Sequence, residues 1–149
     1  MFKSYRLGFD IWGLLLFVVV MLPTVIWFAA PAPNDVLRTA SETPVLDAVA
    51  SLFQALTIGS LCFIINGERG RLRLSPLIVA SIGCVVVYYL GWVLYYYGNA
   101  DAWIILLLTV PPCAAFLLFA TDRKNLIAAL FAACFALCHL TYSIVNYIL

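Results

Sequence analysis

The chain has 149 residues, of which 66% are hydrophobic and 10% charged, with a net charge of +1 and a mean hydropathy of +1.09. A soluble domain carries about 25% charged residues, so this balance excludes a water-soluble enzyme or carrier. A net charge so close to zero speaks against a nucleic-acid partner. A membrane-crossing helix needs roughly 20 apolar residues, so five of them take about two-thirds of the chain and leave no length for a soluble domain.

The first apolar run follows Lys3 and Arg6. It is longer than the 7–15-residue apolar segment of a secretory signal, and Pro33 would directly follow a cut at Ala30-Pro31-Ala32. It therefore reads as a retained helix over about residues 8–30. Arg6 and Asp10 stand four apart and are expected to pair on one face. Pro23 is expected to kink the helix, and Trp12 and Trp27 mark its two ends as interface anchors do.

Pro31-Ala32-Pro33-Asn34-Asp35 cannot be helix interior, because proline lacks the amide donor and pushes its predecessor toward extended backbone. Asn34-Asp35 can start a short turn carrying Val36, Leu37 and Arg38. Asp35, Arg38 and Glu42 are close enough in sequence to meet there, and this longest polar segment is expected to fold as a lid. Thr43-Pro44 pairs an N-cap residue with proline at the first helical position, giving a second helix over about 45–65 that Asn66-Gly67 stops. Glu68 to Arg73 form a tight basic loop. Ser75-Pro76 repeats the start signal for a third helix over about 76–97. Gly98-Asn99 turns the chain, and Asp101 is expected to cap a fourth helix over about 102–120. Thr121 to Lys124 form another basic loop, and a fifth helix spans about 125–148.

The expected fold is thus an all-α bundle of five transmembrane helices in one membrane domain, residues 1–149. Short basic loops stay in the cytoplasm. Lys3, Arg6, Arg69, Arg71, Arg73, Arg123 and Lys124 alternate to one side, and Arg38 alone falls on the other. This gives a cytoplasmic N-terminus and an outside C-terminus, and argues against a dual-topology dimer. The expected location is the plasma membrane of a prokaryote.

Three sets of residues carry the candidate chemistry. On helix two, Asp47, Ser51 and Gln54 share one face, descending about 10 Å at 1.5 Å per residue. On helix five, His139, Ser143 and Asn146 repeat that spacing, with Tyr142 alongside. On helix three, Tyr88, Trp92 and Tyr95 share a face. Unpaired polar groups in lipid cost several kcal/mol each, so the two polar stripes are expected to turn toward one another. Gln54, His139 and Tyr88 are then expected to meet, directly or through water, beneath a cavity open outward past Asp47. The expected ligand-binding set is Asp47, Gln54, Tyr88, Trp92, His139 and Asn146, under a lid of Asp35, Arg38 and Glu42. Pro111-Pro112 is expected to interrupt helix four at its middle and free carbonyls there.

Cys62, Cys84, Cys113, Cys134 and Cys138 all lie in apolar runs, which suits packing rather than a disulfide framework. The sequence has no paired-cysteine zinc spacing and no phosphate loop or nucleophile elbow, so no metal, cofactor or catalytic set is assigned. The leading reading is a small binding or transport protein for a polar or cationic ligand, partnered by the lipid bilayer. The second is an accessory subunit whose polar stripes bind another membrane protein or a second copy; the third is an intramembrane enzyme.

Overall fold

Five helices carry the fold in the computed structural model, which describes residues 4–69 and 71–149. They are α1 (Ile11–Ala29), α2 (Pro44–Phe63), α3 (Pro76–Tyr96), α4 (Ala102–Asp122) and α5 (Leu126–Tyr147). Each is long and apolar enough to cross a membrane. Lys3 and Gly70, which belong to the basic segments described above, lie outside the described residues.

The helix ends depart from expectation where side chains compete for the backbone. The Asp10 carboxylate accepts the Trp12 amide and so starts α1 at Ile11. Ahead of it, β1 (Tyr5–Leu7) pairs antiparallel with β2 (Ile64–Asn66), a ribbon added to the otherwise all-helical fold. Ile64 and Ile65 are β-branched and suit this strand, so α2 ends at Phe63. Because Arg6 sits in a strand, the helical spacing that would bring it to Asp10 is absent. Asp10 instead pairs with Arg69 and, at 3.1 Å, with Arg123. Thr43 and Asp101 make no side-chain cap, whereas Ser75 accepts the Ile78 amide and Asn125 the Ala128 amide.

The basic end is tied across loops. Asn125 donates to Ser60 O at 2.9 Å and Ile64 O at 2.8 Å, and Asn66 donates to Lys124 O at 2.8 Å. These bonds fasten the start of α5 to the end of α2.

α4 is the central helix, with 56% of its apolar window buried, against 17% for α1. It packs between α3 and α5; α5 packs on α2; α1 leans mainly on α2. Close approaches rest on missing side chains. A Cβ on Gly91 would come within 3.0 Å of Leu107 Cβ, and one on Gly13 within 2.9 Å of Leu61 O. Tyr95, Ile104 and Ile105 are fully buried in the α3–α4 seam. All five cysteines are free thiols within helices.

The prolines behave differently from one another. Pro23 removes the amide that would bond Val19 O, and the Tyr89 hydroxyl donates to that carbonyl at 2.7 Å. Pro111 and Pro112 were expected to interrupt α4 at its middle, a plain kink being the favoured use; α4 runs as one helix through both, and both are buried. Packing of their rings into the bundle holds the helix course despite the lost amide bonds.

Asp10 is 4% exposed. Asp10→Asn removes the carboxylate from two arginines, and loss of one partner of a buried ion pair costs about 3 kcal/mol. The variant is expected to melt well below the wild type in detergent, with the loss concentrated at the β1–β2 end by hydrogen exchange.

Candidate functional site

A cavity of about 190 Å³ lies between α1, α3, α4 and α5 at the end opposite the basic loops. α1 contributes Thr24 and Trp27, α3 contributes Tyr88 and Trp92, and α4 contributes Leu108 and Thr109. α5 supplies His139, Tyr142, Ser143 and Tyr147, and Leu37 closes the cavity from the loop above. The helical repeat explains the α5 set: positions 139, 143 and 147 recur every four residues on one face.

Most polar groups of the wall are already engaged. The Thr24 and Tyr88 hydroxyls meet at 3.2 Å. The Thr109 hydroxyl donates to Ile105 O at 2.8 Å and lies 3.0 Å from the Ser143 hydroxyl. The Tyr142 and Tyr147 hydroxyls are 3.3 Å apart. Two groups remain. Trp92 is 7% exposed, and its indole N–H has no hydrogen-bond partner. It comes near the Tyr88 hydroxyl without hydrogen-bond geometry, the two rings meeting edge-on with centroids 6.3 Å apart. His139 is half-buried and stacks on Phe135 with centroids 5.0 Å apart. A buried indole N–H left without an acceptor is an exception among native side chains.

The loop above is latched through Asp35. Its carboxylate accepts the Trp27 indole N–H at 2.8 and 2.9 Å, the Tyr95 hydroxyl at 2.8 Å and Arg38 Nε at 2.8 Å. Tyr95 in turn accepts the Leu37 amide at 3.2 Å. The Arg38 guanidinium lies 4.8 Å over the Trp27 ring and donates to Trp27 O at 2.6 Å. Asn34 donates to Gly98 O, and Tyr96 to Ala30 O, each at 2.6 Å. Gly98 has φ of +90°, a backbone that favours glycine, and it presents that carbonyl to the loop.

Of the expected site residues, Tyr88, Trp92 and His139 come together on the cavity wall. Gln54 does not reach them: its amide points to Met21 Sδ at 3.8 Å. Asp47 is exposed in the first turn of α2, where a carboxylate suits the helix dipole, and it does not line the cavity. Gln54 thus turns toward α1, and neither it nor Asp47 lines the cavity with His139. Asn146 serves the loop instead of the cavity. It accepts the Glu42 amide and donates to the Thr43 hydroxyl, each at 2.7 Å. Asp35 and Arg38 meet as expected, but the Glu42 side chain stays exposed and joins neither.

Thr24, Thr109 and Tyr147 line the wall without having been singled out in the sequence, and Trp27, read there as an interface anchor, joins them. Thr109 carried a signal, as a lone hydroxyl in the apolar run before Pro111. Nothing in the sequence marked Trp27 as a wall residue, since its bond to Asp35 depends on how the loop folds. The wall has no carboxylate and no basic side chain other than the imidazole. Among the described residues no three His, Cys, Asp or Glu side chains gather as a metal centre.

Burial raises the Asp35 pKa, but hydrogen bonds from Trp27, Tyr95 and Arg38, with the charge of Arg38, outweigh it and hold it below the usual 3.8. Folding thus favours the charged form. That contribution is complete above the unfolded value and is lost as pH falls through the lower folded one. The latch is expected to hold at neutral pH and to open only in acid below the ordinary aspartate value of 3.8, read as a change in Trp27 fluorescence. Asp35→Asn is expected to abolish that acid step.

No protein-family model, curated protein or solved structure matches this chain.

Proposed function

We propose that the chain is an integral membrane protein with its N-terminus in the cytoplasm, and that it binds or passes a small, neutral, polar molecule entering from the outer side beneath the loop 30–43. The observation that carries this reading is the buried Trp92 indole N–H, which has no hydrogen-bond partner, on the same wall as the half-buried His139 imidazole. An indole N–H can only donate, and a neutral imidazole donates once and accepts once. Together they suit a ligand with both an acceptor and a donor, such as a small amide or alcohol.

Size and charge narrow the class. A cavity of about 190 Å³ is below the roughly 300–1,000 Å³ of drug-sized sites. A cation would find aromatic faces but no carboxylate in the wall; Asp35, the nearest in sequence to it, is already neutralised by Arg38. The orientation is supported by charge: Arg69, Arg71 and Arg123 gather around one end, whereas the loop end holds Arg38 alone. The latch then faces outward, where a lid must open to admit solute.

A specific observation favours a second reading. Asp47 and Ser51 are exposed on α2, and exposed polar side chains on a membrane helix suit contact with another membrane protein. This is the accessory-subunit reading.

Accessibility of the cavity separates the two. In a variant lacking native cysteines, Ser143→Cys is expected to react with a small thiol reagent added from outside, about tenfold faster when Asp35→Asn is also present. A panel of small amides and alcohols is expected to include ligands that raise the melting temperature and protect that thiol, with His139→Leu abolishing both effects. Labelling only from the cytoplasmic side, or a rate indifferent to Asp35, would contradict the binding reading. Cross-linking of a cysteine at Ser51 to another protein, with no ligand effect at Ser143, would favour the accessory subunit.

A further inference from the structure

α1 meets α3 only lightly, and the seam between them is an open groove rather than a packed interface. Its basic end is a recess of about 500 Å³ lined by Arg69, Arg71, Arg123, Asp10 and Trp12. Trp12 and Leu72 are shared with the next stretch, an apolar groove of about 450 Å³ between α1 and α3 that runs past Leu16 and Ile82. Val19 and Val85 are shared in turn with a further apolar stretch of about 410 Å³. The recess and the groove are therefore one continuous feature with a charged head and an oily tail. It lies on the α1–α3 face, whereas the polar cavity lies within the bundle.

The head is not electrically balanced. Three guanidiniums line it against the single carboxylate of Asp10, which leaves two positive charges. Arg69 and Arg123 are drawn onto Asp10. Arg71 is exposed at the rim and has no ion-pair partner among the described residues. Burial lowers the Arg69 pKa, Asp10 raises it, and the charges of Arg123 and Arg6 lower it again, so the arginines repel one another as well as bind Asp10. An anion in the recess would relieve that repulsion, and guanidinium forks match phosphate oxygens in geometry. The tail favours a chain: its second stretch is lined by Leu15, Leu16, Val19, Ile78 and Ile82, with Ser81 as the one hydroxyl. Along α1, Trp12 to Val19 rises about 10 Å at 1.5 Å per residue, most of one leaflet of a hydrocarbon core about 30 Å thick.

We propose that this groove binds one anionic phospholipid, its phosphate held by Arg71 with Arg69 and Arg123 and one acyl chain laid between α1 and α3. Charge complementarity selects the anionic class. In a zwitterionic choline lipid the quaternary ammonium faces the same arginines and offsets the attraction of its phosphate. Trp12, at the junction of head and tail, sits at the depth where indole rings favour the headgroup boundary.

The test uses the full-length protein in detergent, with bound lipids counted by native mass spectrometry. Dioleoyl phosphatidylglycerol, dioleoyl phosphatidylcholine and glycerol 3-phosphate are titrated separately. The expected result is one phosphatidylglycerol retained at several-fold lower concentration than phosphatidylcholine, with glycerol 3-phosphate not retained. Arg71→Gln, which leaves both Asp10 pairs in place, is expected to weaken phosphatidylglycerol retention about fivefold, the effect of one basic residue at a membrane surface. Ile82→Trp fills the groove from its open side and is expected to weaken retention without touching the arginines. Equal retention of the two lipids, or a preference unchanged in Arg71→Gln, would overturn the proposal. So would retention of glycerol 3-phosphate as tight as that of the lipid, or no effect of Ile82→Trp. None of these outcomes bears on the cavity under the loop.

Discussion

Two carboxylates decide where α1 lies. Asp10 precedes its first residue and is held by Arg69 and Arg123. Asp35 follows its last turn and binds back to Trp27 while being held by Arg38 and Tyr95. Between these points α1 is the least buried of the five helices. It touches α3 mainly through hydroxyls, Tyr89 on Val19 O and Tyr88 on Thr24. A helix fastened at its ends and loosely packed along its length leaves space on both flanks. One flank is the polar cavity behind Thr24 and Trp27; the other is the open seam along α3.

The Asp35 latch is cooperative by construction. One carboxylate accepts from an indole, a phenol and a guanidinium, and the phenol also receives the Leu37 amide. Each donor orients the others, so loss of any one loosens the loop as a unit. Loops fastened by a few bonds above a packed scaffold open locally at lower free energy than the fold as a whole. The loop 30–43 has that character: Asn34, Asp35 and Asn146 bind it, while much of its remaining chain is exposed.

The five helices were legible because their signals are local. Apolar length, the proline starts at Pro44 and Ser75-Pro76, and the turn at Gly98-Asn99 are each read over a few residues. The β1–β2 ribbon was not, since three-residue strands leave no periodic trace and Tyr5–Leu7 pairs with residues about sixty positions away. The site was half legible for a related reason. Helical spacing shows that His139 and Ser143 share a face, and that Asp47 and Gln54 share another, but not which neighbour each face meets. Pairing the two polar stripes presumes that lipid, not the interface, surrounds Asp47 and Ser51. Both lie in the first turns of α2, close enough to its end for the interface to take them. Asn146 was placed on the correct face, but a folded loop reached it first.

The claim on which the account turns is that the loop 30–43 is latched through Tyr95 and Asp35 rather than free. Hydrogen exchange at the Leu37 amide in Tyr95→Phe tests it most directly, because that substitution removes one hydroxyl that accepts from Leu37 and donates to Asp35. The account predicts a protected amide in the wild type and exchange faster by at least tenfold in the variant, with the β1–β2 ribbon unchanged. Exchange in the wild type as fast as in an unstructured peptide, or equal rates in the two proteins, would contradict it.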